Sequence, residues 1–266
     1  MAASGIDEAI RNAVCVGADP KTIVLLDNFC WGNTERPETL GSLVEAARAC
    51  YDVATYFGMP FISGKDSLNN EFRPPNSEPI SIPPTLLISA MGQIDDVSKC
   101  VTMDLKRVGN VLYRLGAMFR TEFGGSHYSF VQNLQGGDVP HLDTTKAKKL
   151  YETLHEAIMR GWVRSAHDLS EGGLAVAIAE MCIAGGLGAT LPGHFDEVEL
   201  FSESNSRFVI EVEPKHMLEI ETLFKRLLLP IHKLGSVTAE PVLVFDDMLS
   251  VSVDELKSAW QKPLDW

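Results

Sequence analysis

The sequence predicts an α/β (α+β) protein of two domains, residues 1–104 and 105–266. Three observations predict it. Segments with helical period alternate with short runs of β-forming residues along all 266 residues. A polar, mixed stretch, Gly92–Lys106, separates two such series. The composition, 45% apolar and 22% charged, is that of a globular chain long enough to bury a substantial core.

Ile6, Ala9, Ile10, Ala13 and Val14 recur at helical spacing and predict a helix over 6–14. Thr22–Leu26 (TIVLL) predicts a strand that ends at Asp27, followed by a loop from Asn28 to Thr39. Leu40, Leu43, Val44, Ala47, Cys50, Tyr51, Ala54 and Phe57 mark one face of a long helix, with Gly58 placed to cap it and Pro60 beyond. Pro60–Ser63 predicts a short strand running into the loop Gly64–Glu71. PTLLISAMG predicts another strand.

In the second series GNVLYRLG predicts a strand, and a helix passes through Lys149, Leu150, Leu154 and Ile158 to end at Gly161. A strand then delivers His167, Asp168 and Ser170 to a turn, and Leu174–Cys182 is an apolar, buried helix. GGLG at 185–188 is a turn. RFVIEVEP is a strand, Pro214–Leu229 a helix, IHKLGSV and PVLVF strands, and Val253–Trp260 a final helix.

With 23 Lys+Arg against 36 Asp+Glu, the net charge is −13. No segment carries a basic stripe, so neither nucleic acid nor an anionic membrane surface is expected as a partner. No apolar run reaches the ~18 residues of a spanning helix. MAASGIDEAI has neither the basic nor the apolar region of a secretory signal. The five cysteines are scattered without a CxxC pair, which fits a reducing cytoplasm. HExxH, GxSxG, GxGxxG and the P-loop pattern are absent.

Three groups of residues could carry chemistry. In AHDLSEGGLAVAIAEM, the Gly172–Gly173 pair opens a helix whose free N–H groups suit a phosphate, and Asp168 suits Mg²⁺. The same pattern also fits Ser170 as a helix cap and Asp168 as a turn acceptor. In SGKDSLNN, Gly64 permits close backbone approach, Lys65 can neutralise phosphate charge and Ser67 can donate a hydrogen bond, although turns commonly use these residues too. Glu8 and Asn12, four apart, share a helix face and could offer oxygen ligands to Mg²⁺, or form a solvated face. Asp27 at a strand end is either a site residue or a turn cap. FGGSHY at 123–128 could cradle an anion.

AHDLSEGGLAVAIAEM resembles the C-terminal signature of an ATP-dependent superfamily that includes aminoimidazole ribonucleotide (AIR) synthetase and formylglycinamide ribonucleotide (FGAR) amidotransferase. DNFCWGNTERPE, SGKDSLNNE, FSESNSRFVIEVEP and KLGSV, in that order, are similar to the phosphoribosylformylglycinamidine synthase family. The resemblance implies the C-terminal half of that synthetase, with the start of its N-terminal domain absent and a natural end at LKSAWQKPLDW.

The implied activity is a ligase reaction. ATP phosphorylates the FGAR amide oxygen, and glutamine-derived ammonia displaces phosphate to give the amidine. The resemblance implies Glu8, Asn12 and Asp168 as Mg²⁺ ligands, with Ser170 completing that nucleotide site. It implies Asp27 and Gly64 as contacts of a second ATP and Ser67 as a contact of FGAR. Lys65 stands where part of the family has a Mg²⁺-binding Asn; an ammonium cannot ligate a metal, so Lys65 is expected on phosphate. The family's catalytic histidine is expected in the other half, not in this chain.

The implied cofactors are ATP/ADP and Mg²⁺. The implied partners are FGAR and ATP, the N-terminal half of the synthetase and a glutaminase domain or subunit. The first domain is expected to have helices on one side of a sheet that forms a barrel with another copy, so a lone copy predicts a homodimer. Two other readings stay open: a structural half that holds nucleotide without turnover, and a small synthetase or kinase working as a homodimer.

Overall fold

The computed structural model describes residues 1–246 and 248–264. The last two residues of the predicted second domain, and of the predicted chain end LKSAWQKPLDW, lie outside the described residues.

Helix α1 (Ala2–Cys15) opens the chain. Its Ile6, Ile10 and Val14 are fully buried, as the helical spacing predicts. Strand β1 (Val24–Trp31) leads to α2 (Pro37–Phe57), which starts on Pro37 and ends on left-handed Gly58. Then come β2 (Phe61–Leu68), the hairpin of β3 (Glu71–Phe72) and β4 (Ile80–Ser81), and β5 (Thr85–Met91). The second series runs β6 (Val111–Leu115), α3 (His127–Val131), α4 (Thr144–Met159), β7 (Val163–Asp168), α5 (Gly173–Gly185), β8 (Gly188–Leu191), α6 (Glu197–Phe201) and β9 (Phe208–Val212). It ends with α7 (Met217–Arg226), β10 (Ile231–Thr238), β11 (Val242–Phe245), β12 (Leu249–Ser252) and α8 (Val253–Gln261).

Two sheets organise these elements. The first has the order β2-β1-β5, with β1 parallel to β2 and antiparallel to β5. Helices α1 and α2 cover one face; on the other, Leu87 and Met91 of β5 are exposed. It is an open sheet, not a closed barrel. The second has seven strands, β12-β11-β8-β10-β6-β9-β7. Its interior strands β6 and β9 are buried at every position. Alternate residues face two cores: Val111, Tyr113 and Leu115 join the core shared with α1, α2 and α4, whereas Leu112 and Val209 join the core under α5. The first core is continuous from the three-stranded sheet to the seven-stranded one.

Several boundaries differ from those the sequence predicts. β1 does not end at Asp27; it runs on through Asn28–Trp31, because Phe29 and Trp31 alternate inward onto the helices while Asn28–Trp31 continue to pair with Lys65–Leu68 of β2. Gly64–Leu68 is therefore strand, not loop. Helix 214–229 begins as a 3-10 turn, Pro214–His216, before α7. Gly188 starts a strand instead of closing a turn. The short β3, β4, α6 and β12 have too few residues to show a period.

Candidate functional site

α1 is pinned by a buried ionic network. Asp7 and Arg11, four residues apart, are 0% and 3% exposed. Arg11 Nε lies 2.7 Å from Asp7 Oδ2, an ion pair rather than an aligned hydrogen bond. Asp7 also accepts from the Tyr151 hydroxyl and, at 3.0 Å, from the Ser206 N–H. Arg11 reaches across to β7, donating through Nη1 to the Leu169 carbonyl and lying 3.4 Å from Ser170 Oγ and 3.9 Å from Asp168 Oδ2. Burial alone would weaken the Arg11 guanidinium as a cation, but Asp7, Tyr151, Asp168 and Glu8 together raise its pKa.

This packing opens a cleft of about 410 Å³. Ser4, Glu8 and Arg11 line it from α1, Ser170 and Glu171 from the turn before α5, Glu203 and Asn205 from the segment after α6, and Gly124, Gly125, Val139 and Pro140 from the 116–143 segment. Glu8 and Ser170, two of the residues the sequence singles out, line it; Asp168, buried, does not line it and sits directly behind Ser170, whose hydroxyl it accepts. Asn12 is exposed and does not line the cleft.

The charges in the cleft are uneven. Burial first, then Glu171, raises the Glu8 carboxyl above its ordinary range. Asp168 goes the other way: burial pushes it up, but hydrogen bonds from His167 and Ser170 and the charge of Arg11 bring it below the usual carboxylate range. His167, between Asp168 and Glu180, is opposed by burial yet raised to about 9 by those two acids. Among the described residues no group of three or more His, Cys, Asp or Glu is arranged to hold a metal by itself. Glu8 and Asp168 nevertheless fit Mg²⁺, which commonly takes one or two carboxylates and completes its shell with phosphate oxygens and water. A cation there would offset the repulsion of Glu8 by Glu171 and Asp168, which Arg11 offsets only in part.

The helix start is less free than its sequence suggests. Gly172 N–H donates to Glu203 Oε1 at 2.9 Å, and Gly173 N–H to the Ser170 carbonyl at 3.0 Å. Gly173 is required there, because a Cβ would collide with the backbone of Leu200–Ser202 and its φ is +62°. Glu203 also accepts the His127 N–H at 2.9 Å, tying the FGGSHY segment to the same turn. Arg207, fully buried, fixes the loop that carries Glu203 and Asn205 by donating to the carbonyls of Ser202 and, at 2.9 Å, Ser204.

Asp27, Gly64, Lys65 and Ser67 form a second group, on β1 and β2. Register places Asp27 opposite Gly64, Asn28 opposite Lys65 and Cys30 opposite Ser67. Asp27 faces α2; burial and then the charge of Asp27 push the Cys50 thiol up to about 11. A Cβ on Gly64 would strike the Asp27 carboxylate, so Asp27 itself demands glycine there. Burial, then Asp66, raises the Asp27 carboxyl. Lys65 and Ser67 lie on the opposite, open face, where Lys65 Nζ donates to Ser67 Oγ.

Sequence reasoning missed Arg11, Glu203 and Asn205. Arg11 carried a signal: a charged pair at i,i+4 on the apolar stripe of α1 must be satisfied internally.

Residues 107–247, more than half of the chain, match the family of AIR synthase related proteins through its C-terminal domain. The chain belongs to that family. Its curated relatives carry a narrower name. It is 34% identical over 264 residues to the phosphoribosylformylglycinamidine synthase subunit PurL of Alkaliphilus metalliredigens, covering 97% of this chain and 35% of that protein. It is 35% identical over 271 residues to PurL of a Synechocystis strain, covering 98% of this chain and 35% of that protein. The chain thus spans about a third of the length of the curated relatives it matches. Among solved structures, Thermotoga maritima PurL complexed with FGAR superposes with a TM-score of 0.73 at 22% identity, covering 96% of this chain and 42% of that one. The HypE-HypF complex superposes at 0.69 and 14% identity, covering 94% and 83%. At these identities the structures establish the fold. The resemblance carried by AHDLSEGG and SGKDSLNNE is borne out by the relatives.

Proposed function

We propose that this chain forms the C-terminal synthetase portion of a phosphoribosylformylglycinamidine synthase. That enzyme is an ATP-dependent ligase that converts FGAR, glutamine-derived ammonia and ATP to the amidine, ADP and phosphate. The observation that carries this reading is the match to PurL proteins along 97% of the chain. The Thermotoga maritima PurL structures include complexes with FGAR and with ATP, which supports phosphorylated ligands for this fold.

In this reading residues 1–104 and 105–266 are the two domains of the unit. Lys65 and Ser67 present a cation and a hydroxyl to phosphate and FGAR on the open face of the three-stranded sheet, with Asp27 and Gly64 at the strand pairing beneath. A second copy of the unit, in the same synthetase or in a homodimer, covers that face. The catalytic base and the glutaminase belong to the rest of the enzyme. The cleft over α1 holds ATP or ADP through Ser170 and the 124–125 glycines. Glu8 and Asp168 are the residues for Mg²⁺, which when bound would neutralise the like charge of phosphate and carboxylates.

A second reading applies to that cleft: nucleotide held as a structural prop. Arg11 is its only cationic side chain among the described lining residues, and it is committed to Asp7 and the Leu169 carbonyl, so none is left to act on a transferring phosphoryl group.

The test is complementation. Added to a PurL-type synthetase lacking the matching portion, this chain restores FGAR-dependent phosphate release from ATP, and Lys65→Ala with Ser67→Ala abolishes it. No restoration by the wild type, or restoration undiminished in the double variant, contradicts the proposal.

A further inference from the structure

Glu180 lies seven residues into α5, near the end of the AHDLSEGGLAVAIAEM segment, where no role has been assigned to it. Its Oε2 is 2.8 Å from His167 Nε2, and Nδ1 of the same ring is 3.2 Å from Asp168 Oδ1. The other Asp168 oxygen accepts the Ser170 hydroxyl. An imidazole held at both nitrogens cannot turn, and a carboxylate held at both oxygens cannot rotate about its own axis. The side chains grade from 33% exposed at Glu180 through 18% at His167 to 6% at Asp168, so the chain of contacts runs from the surface of α5 inward to Asp168 and, through Ser170, to the cleft.

We infer that Glu180 and His167 are positioning residues for Asp168, fixing the angle at which its carboxylate meets a divalent cation and the nucleotide that brings it. The physical reason is general: partners beyond the direct ligands set ligand orientation, and their loss typically costs about 10–100-fold in metal affinity. Neither residue touches the ligand, and both act through Asp168. The inference rests on reading the cleft as a nucleotide site.

The test is calorimetric titration of the whole chain with ADP, once in Mg²⁺ and once in EDTA. It compares wild type, Glu180→Ala, His167→Gln and His167→Asn, with a melting curve for each. An Asn amide can stand where Nδ1 stands and still donate to Asp168; a Gln amide stands nearer Nε2 and cannot. The expected result is a roughly ten-fold or greater loss of Mg²⁺-dependent affinity in Glu180→Ala and His167→Gln. His167→Asn retains most of that affinity, affinity in EDTA stays near wild type, and each variant still melts cooperatively. His167→Gln serves independently if Glu180→Ala is unstable. Equal losses in Mg²⁺ and EDTA, or none in either variant, overturn the positioning role while leaving the nucleotide site standing. A wild type with no Mg²⁺-dependent binding overturns both.

Discussion

Replacing Asp7 by Asn should destabilise the chain strongly. Asp7 is 0% exposed and is met by the Tyr151 hydroxyl, the Ser206 N–H at 3.0 Å and the Arg11 guanidinium at 2.7 Å. All of these are donors. An Asn amide keeps the shape but offers one acceptor oxygen, and its NH₂ must face a donor. Arg11 would be left buried and charged with the Leu169 carbonyl, Ser170 and a carboxylate 3.9 Å away. Removing one partner of a buried ion pair costs about 3–5 kcal/mol. At roughly 2–4 °C per kcal/mol for a chain of this size, the melting temperature should fall by about 6–20 °C. Urea unfolding followed by circular dichroism measures the loss directly. Adding Arg11→Met should recover part of it, so that the double variant costs at least ~1 kcal/mol less than the two singles together. A loss below ~1 kcal/mol for Asp7→Asn, or strict additivity, would refute the network as described.

Four further outcomes follow from the same geometry. Gly64→Ala should destabilise by about 1–3 kcal/mol through collision with the Asp27 carboxylate, and Asp27→Ala should rescue it; chemical denaturation of the three variants checks this. Ile10→Ala, at a fully buried position, should cost about 2–5 kcal/mol in the same assay. Glu8→Gln should raise the melting temperature of the ligand-free chain, because it removes an acid that burial and Glu171 disfavour, while weakening the Mg²⁺-dependent part of ADP binding. Burial and then Arg114, opposite it on β6, hold His232 below its ordinary 6.5. The unfolded chain therefore binds the extra proton first, and stability is lost as pH falls below about 6.5; His232→Gln should lack that part of the loss in melting curves.

Helix α1 was legible because Ile6, Ile10 and Val14 repeat with a strong period and are buried. The turn into α5 was legible because paired glycines follow a strand, and both take left-handed φ. The end of β1 was not, because Asp27 and Asn28 carry turn chemistry locally while the pairing of Phe29 and Trp31 with β2 is set from more than thirty residues away. The site divides the same way. Glu8, Asp168 and Ser170 could be named because each sits in a local pattern. Their convergence could not, nor could the exposure of Asn12, since both depend on how α1 is rotated against β7 by Arg11 and Asp7. Glu203 was hidden for a related reason: its acceptors' partners, the N–H groups of Gly172 and His127, come from two distant segments.

Titration of the chain with ADP in Mg²⁺, for wild type and Asp168→Asn, tests the central claim most directly. Wild type should bind saturably and in a Mg²⁺-dependent way, and Asp168→Asn should lose that binding while still melting cooperatively. Absence of binding in the wild type, or equal affinity in Asp168→Asn, would contradict the assignment of the α1–α5 cleft as a nucleotide site.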